Sequence, residues 1–249
     1  GVKAACGPFS GGYAEEIDLS EIGESTVGDI DWAMIQRVNT ERMQLFQQLH
    51  LYGDGIPLDQ VVNLDQLHNE LKSFETSWVP YNAVGAKKSN PREGLSVTSL
   101  DGGMSGVPDL FSLYEWSKET GQKVSECDFN VPTAAYRHCT AIHRLCEPFM
   151  PNVGRCRFVR FQPGGHFPPH RDGSVSYQIP DYFRILVPLN RTGDDRFHFV
   201  LDGRLVSYEP GRPYLFNALK THSVVSFEEG AVTLALSVAL TQENVAKAI

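Results

Sequence analysis

The sequence predicts a mainly β fold, a sandwich or barrel of short strands, with helices ahead of it in the chain. Three observations carry this. Apolar residues recur at helical spacing in the N-terminal half, the period changes to two after Val153, and turn residues then punctuate the chain at short intervals.

The elements follow in order. The Gly- and Glu-rich first ~25 residues show no periodicity and read as loosely ordered. From Asp31 to about His50, the residues Trp32, Ile35, Val38, Leu45, Phe46 and Leu49 fall near helical spacing, and Gly53-Asp-Gly-Ile-Pro57 ends the run. Val61, Leu64, Leu67, Leu71 and Phe74 repeat the i, i+3, i+4 pattern more cleanly, and Gly121 closes a short helix from about Asp109. These helices are expected to buttress one sheet. Leu95 to Leu100 alternates between Gly94 and the Asp101-Gly-Gly103 turn, which reads as a strand. If that strand joins the barrel, Arg92 and the segment Trp78–Asn82 stand by its mouth; the plain alternative is a surface loop with a packed Trp.

After Val153, Arg157-Phe-Val-Arg-Phe161 alternates and Pro163-Gly-Gly165 turns the chain. Arg196–Leu201 then meets Arg204–Tyr208 through Asp202-Gly203, a hairpin signal because both turn positions need positive φ. Pro210-Gly211 begins another turn, and Tyr214–Phe216 and Val232–Leu240 supply late strands. No internal repeat or low-complexity segment interrupts the pattern.

Composition fits a soluble enzyme and excludes several other classes. With 249 residues, 41% of them hydrophobic, the chain can bury a sizeable core. No apolar run approaches the ~20 residues of a membrane span, and no basic-then-apolar signal opens the chain, so a cytoplasmic location is expected. A net charge of −8 argues against general nucleic-acid binding, which relies on a basic face. The cysteines Cys6, Cys127, Cys139, Cys146 and Cys156 form no Cys-x-x-Cys, and their odd count speaks against a complete disulfide framework.

The most informative stretch is Gln162-Pro-Gly-Gly-His-Phe-Pro-Pro-His-Arg-Asp172. On a strand, residues two apart point to one face, so His170 and Asp172 can grip one ion. His222 follows after several short strands, and a barrel can return it to the same mouth. Two imidazoles and one carboxylate on one side of a metal leave the other side open, the facial arrangement of non-haem Fe(II) oxygenases. His166 stands four residues before His170, but Pro168 and Pro169 between them argue against a shared helix face, and His166 reads as lining the turn. His198, between Phe197 and Phe199, reads as a side chain on one face of a hairpin strand.

From Gly154 to about Leu240 the chain resembles the 2-oxoglutarate/Fe(II)-dependent oxygenases, nearest to the aspartyl/asparaginyl β-hydroxylase and proline hydroxylase branch. The matching pieces are Pro163-Gly164, Phe167-Pro-Pro-His-Arg-Asp172, Phe183–Leu189, Tyr208-Glu-Pro-Gly-Arg212 and Phe216-Asn-Ala-Leu-Lys-Thr-His222. The resemblance implies a double-stranded β-helix (jelly-roll/cupin-like) core over residues 154–249, with residues 1–153 as a helical and mixed elaboration packing on it. It also implies Fe(II) held by His170, Asp172 and His222, with 2-oxoglutarate and O2 as cosubstrates. The reaction would be hydroxylation of a C–H in an amino acid or an amino-acid side chain of a peptide, releasing succinate and CO2. Relatives that halogenate lack the carboxylate ligand, so Asp172 favours hydroxylation.

One departure stands out. That branch carries an arginine about ten residues after the distal histidine for the far carboxylate of 2-oxoglutarate, whereas Glu229–Ser237 here holds no basic residue. Some relatives place a basic residue on the strand after the His-x-Asp turn, which makes Arg184 the first choice for the cosubstrate and Arg160 the second, since a guanidinium fork matches a carboxylate. Two alternatives remain: a cupin-type metalloenzyme that does not use 2-oxoglutarate, and a metal-free binding barrel. Cupins usually offer His-x-His, and Asp172 stands where the second His would be; a metal-free barrel would give the three residues no shared purpose.

Overall fold

Helical spacing near the N-terminus produces α1 (Trp32–Leu49), whose inward stripe buries Phe46 and Leu49. The computed structural model describes residues 32–81, 90–173 and 179–249. Cys6, Asn82, the start of the first helix at Asp31 and the loosely ordered N-terminal stretch lie outside them. The segment expected only to end α1 does more, because Gly55–Pro57 forms an edge strand, β1. Next come α2 (Leu64–Leu71), a 3-10 segment (Lys72–Ser77) and the short β2 (Val79–Pro80). Asn63 caps α2 by accepting from the Gln66 amide, so Val61 falls before the helix and is exposed. The strand expected from Leu95 starts earlier, as β3 (Arg92–Ser96), and continues as β4 (Thr98–Ser99).

The helix expected from about Asp109 starts later, as α3 (Leu113–Thr120), because the Ser112 hydroxyl caps it; Gly121 closes it at φ 71°. A 3-10 turn (Glu126–Asp128), β5 (Val131–Pro132), α4 (Ala134–His138) and α5 (His143–Cys146) lead into the strand-rich half. That half contains β6 (Val153–Phe161), β7 (His166–His170), β8 (Tyr182–Pro188), β9 (Phe197–Leu201), β10 (Arg204–Val206), β11 (Tyr214–Phe216), β12 (His222–Ser226) and β13 (Ala231–Ala239). Helix α6 (Gln242–Ala248) follows. Asp202 at φ 50° and Gly203 at φ 75° make the tight β9–β10 turn that the sequence predicts. The chain divides into two units, Gly1–Arg37 and Val38–Ile249, and among the described residues every strand belongs to the second.

Strand order identifies the fold. A seven-stranded sheet runs β1-β11-β8-β13-β6-β3-β2 and a four-stranded sheet runs β10-β9-β12-β7. From β6 to β13 the chain passes between the two sheets, with only the β9–β10 hairpin staying in one. This is the double-stranded β-helix, or jelly roll. β3, which precedes the boundary expected at residue 153, is a full member of the large sheet, paired along β6 from Arg92↔Phe161 to Ser96↔Arg157.

The large sheet is covered on both faces, which explains its long apolar runs. Phe183, Ile185 and Val187 of β8 and Leu234, Leu236 and Val238 of β13 join one core cluster with α1, α2 and the short helices. Their alternate neighbours face the small sheet, where Val159, Phe161, Leu186, Phe197, Phe199 and Phe216 form a second cluster. Period-two alternation therefore decides which side chains enter the space between the sheets.

Candidate metal centre

His170 ends β7 and His222 begins β12, and the antiparallel pairing sets them directly opposite each other. Their ring centroids are 4.2 Å apart. Each Nδ1 lies on a backbone carbonyl, that of Pro168 at 2.7 Å for His170 and that of Lys220 at 3.0 Å for His222. A carbonyl only accepts, so Nδ1 carries a proton in both rings and each Nε2 is the nitrogen turned toward the site. Burial lowers the pKa of His222 below the ordinary histidine value although Asp172 pulls the other way, which favours the neutral imidazole a metal needs.

Asp172 lies two residues past His170, just beyond the strand end, with its amide donating to the Ala218 carbonyl at 2.9 Å. Its Oδ1 faces both rings, 3.6 Å from His170 Nε2 and 3.7 Å from His222 Nε2. One donor atom from each of His170, Asp172 and His222 lies within 4.8 Å of the others. Two imidazole nitrogens and one carboxylate oxygen on one side of a cavity suit a divalent transition metal with open positions, and among the described residues the set lacks the fourth ligand of a closed structural zinc site.

The cavity lies between the sheets and opens to solvent. Its wall is largely apolar, with Phe161, Phe167, Phe199, Phe216 and Val224 around the three donors. Arg184 is also on this wall, but its donors are already engaged. Nη2 and Nε reach Asp172 Oδ2 at 2.7 and 3.2 Å, while Nη1 donates to Ser237 Oγ at 2.7 Å and pairs with Glu126 Oε2 at 3.2 Å. Burial raises the pKa of Asp172, but Arg184 first, then the two histidines, outweigh it and hold the carboxyl below its ordinary value. Arg184, expected to hold the cosubstrate, here pairs with Asp172 rather than offering a free fork to the cavity.

Arg160, the second choice for the cosubstrate, lies elsewhere. Parity turns it to the other face of β6, where it pairs with Glu75 at 2.7 Å and Glu93 at 2.9 Å and stacks 4.5 Å from the Trp78 ring. Arg157 enters the cavity from β6 instead. It is nine-tenths buried, its closest carboxylate oxygen is Glu126 Oε2 at 3.6 Å, and its Nε has no partner. Arg155, Arg157 and Arg184 converge on Glu126, and Arg184 also pairs with Asp172. Sequence reasoning missed Arg157, Glu126 and Ser237. For Arg157 the signal existed, since it shares a strand face with Val159 and Phe161.

The remaining expectations find places at the rim or outside it. Arg92 is buried, 3.8 Å from the Phe167 ring centroid, with Nη1 donating to the His166 carbonyl. His166 lines the turn, Nδ1 lying 2.9 Å from the Gly164 carbonyl, and His198 packs edge-on against Phe227. Among the described residues, Cys127, Cys139, Cys146 and Cys156 are free thiols.

No family model and no curated protein matches the chain. Solved structures similar to it include an oxidoreductase of the 2OG-Fe(II) oxygenase family from Burkholderia pseudomallei, at TM-score 0.47 and 14% identity, covering 80% of this chain and 90% of that one. Another is a prolyl hydroxylase from Trichoplax adhaerens in complex with a peptide fragment of the hypoxia inducible factor oxygen degradation domain, at TM-score 0.45 and 12% identity, covering 88% of this chain and 97% of that one. A cupin 2 domain-containing protein from Halorhodospira halophila aligns at TM-score 0.31 and 11% identity, covering 62% of this chain and 69% of that one. At these identities and scores the chemistry has to be argued from the residues of this chain.

Proposed function

We propose that this chain is an Fe(II)- and 2-oxoglutarate-dependent dioxygenase that hydroxylates a C–H of an amino acid or of an amino-acid side chain. The observation that carries the reading is the pairing of an open two-histidine, one-carboxylate donor set with a buried guanidinium, that of Arg157, on the wall of one cavity. His170, Asp172 and His222 would hold the metal. When bound, Fe(II) with 2-oxoglutarate and O2 supplies an oxidative decarboxylation to succinate and CO2 that is coupled to insertion of oxygen into the substrate C–H.

The rest belongs to the protein. A divalent metal beside the buried Arg157 guanidinium adds positive charge to the site, and a dicarboxylate would offset it. Arg157, which lines the cavity, would take the carboxylate remote from the metal. The Pro168 and Lys220 carbonyls hold both imidazoles in the tautomer that keeps Nε2 free. Phe161, Phe167, Phe199 and Phe216 exclude water, so that a C–H rather than solvent meets the reactive side of the site.

Calorimetry tests this with Mn(II) as an inert substitute for Fe(II). The loaded protein is expected to bind 2-oxoglutarate, and the metal-free protein to bind it much more weakly. Fe(II)-loaded protein is then expected to release succinate when supplied with 2-oxoglutarate and O2. Binding of Mn(II) without binding of 2-oxoglutarate would overturn the dioxygenase reading in favour of a cupin-type metalloenzyme.

A further inference from the structure

We propose that Glu126 and Arg184 are positioning residues that fix Asp172 as a one-oxygen metal ligand, so that a turn outside the jelly-roll strands controls the metal site. The inference rests on reading His170, Asp172 and His222 as that site and adds what holds it in shape.

The argument starts with which oxygen is engaged. An arginine facing a carboxylate ordinarily uses two nitrogens for two oxygens. Here Nε and Nη2 of Arg184 both go to Oδ2 of Asp172, at 3.2 and 2.7 Å, and the Tyr182 hydroxyl donates to the same atom at 3.3 Å. Oδ1 receives none of these bonds and is the atom that faces the two histidine Nε2 atoms. One oxygen is thereby saturated and the other presented. Asp172 itself lies past the end of β7, so strand pairing does not set its side-chain orientation.

Arg184 can do this only if it is itself held. β13 places Ser237 directly across from Arg184, and the hydroxyl accepts from Nη1 at 2.7 Å while donating to Glu126 Oε2 at 2.6 Å. Glu126 adds a direct ion pair to Nη1 at 3.2 Å and takes Arg155 on its other oxygen at 2.9 Å. Burial would raise the pKa of Glu126, but Arg184, Arg155 and Arg157, with Ser237, outweigh it and keep the carboxyl far below its ordinary value. Glu126 comes from the 3-10 turn Glu126–Asp128, which closes on its own capping box between Ser125 and Asp128. The turn reaches the sheet because β6 has Gly154 where it passes; a Cβ there would collide with the Glu126 carbonyl oxygen.

Removing the partners of a ligating group typically costs 10–100-fold in metal affinity. The test is Mn(II) binding, read by the loss of the free-ion electron paramagnetic resonance signal, with thermal unfolding of the metal-free proteins recorded alongside. Glu126→Gln and Arg184→Met are each expected to weaken Mn(II) binding by about tenfold or more in the folded protein, and Arg184→Lys to recover part of the loss. Ser237→Ala deletes one hydroxyl and keeps every charge, so it carries the test if Glu126→Gln fails to fold; a several-fold weakening is expected. Lowered melting temperatures with unchanged Mn(II) affinity in the folded variants would overturn the positioning role and leave the metal site standing. Failure of the unmodified protein to bind Mn(II) would overturn the metal reading, and this inference with it.

Discussion

Replacing Arg157 with Met should separate function from stability in opposite directions. In the structure this guanidinium is nine-tenths buried, is 3.6 Å from its nearest carboxylate oxygen, and has an Nε with no partner. Burial lowers its pKa below the ordinary arginine value, with Arg155 and Arg184 adding repulsion, and Tyr81 and Glu126 only partly compensate. An unsatisfied buried polar group costs about 1–3 kcal/mol, and Met keeps most of the aliphatic volume. Glu126 would retain Arg155 and Arg184 at 2.9 and 3.2 Å, so no carboxylate is orphaned. The metal-free Arg157→Met protein is therefore expected to unfold at the same temperature as the parent or a higher one. If Arg157 meets the remote carboxylate, the lost charge-assisted pair is worth about 1.5–3 kcal/mol, or roughly 10- to 150-fold in 2-oxoglutarate affinity. Differential scanning calorimetry and titration of the Mn(II)-loaded protein give the two readings. A marked fall in melting temperature with unchanged 2-oxoglutarate affinity would make Arg157 a structural cation and refute the reasoning.

Three further outcomes are expected. His170→Ala, Asp172→Ala and His222→Ala should each abolish most Mn(II) binding, but Asp172→Ala alone should also destabilise, toward the low end of ~3–5 kcal/mol, because it strips one face of buried Arg184; urea unfolding checks this. Gly203→Val should cost more than ~1 kcal/mol by the same assay, since the β9–β10 turn holds that residue at φ 75°, and an unchanged midpoint would contradict the turn. The depressed pKa of Glu126 means that its charge stabilises fully above the ordinary carboxylate value near ~4.3 and that this contribution drains as the pH falls below it. The stability gap between the parent and Glu126→Gln should accordingly be constant from neutral pH to about 5 and narrow on further acidification, and a gap that widens in acid would reverse the sign of the argument.

Local chemistry made much of the fold legible. The Asp202-Gly203 turn, the Gly121 cap and the strands around the Pro163-Gly-Gly165 turn follow from residues that only certain backbone conformations accept. Boundaries slipped where a side chain outside the periodic pattern decided them. Asn63 and Ser112 set the starts of α2 and α3 by capping, and neither lies on an apolar stripe. Gly55–Pro57 joins the large sheet through pairing with β11, more than 150 residues away, and nothing local marks it as a strand.

The site divides along the same line. His170 and His222 were legible because each is the chemically distinctive residue at a strand end, and the β7–β12 register then makes them neighbours. The arginines were harder because the large sheet is buried on both faces. Alternation in Arg157-Phe-Val-Arg-Phe161 proves that Arg157 and Arg160 point to opposite sides, yet apolar residues flank both, so parity alone does not say which side holds the cavity. Pairing resolves it. β13 sets Ala235 opposite Arg157 and Ser237 opposite Arg184, small side chains that make room for guanidinium groups on the inner face, while Val232, across from Arg160, belongs to the outer core. Small residues on one face of the last strand, read against arginines on one face of its partners, therefore locate a buried cationic pocket. Glu126 has no such signature, because the force that buries it is the charge of those arginines, which come together only when the barrel closes.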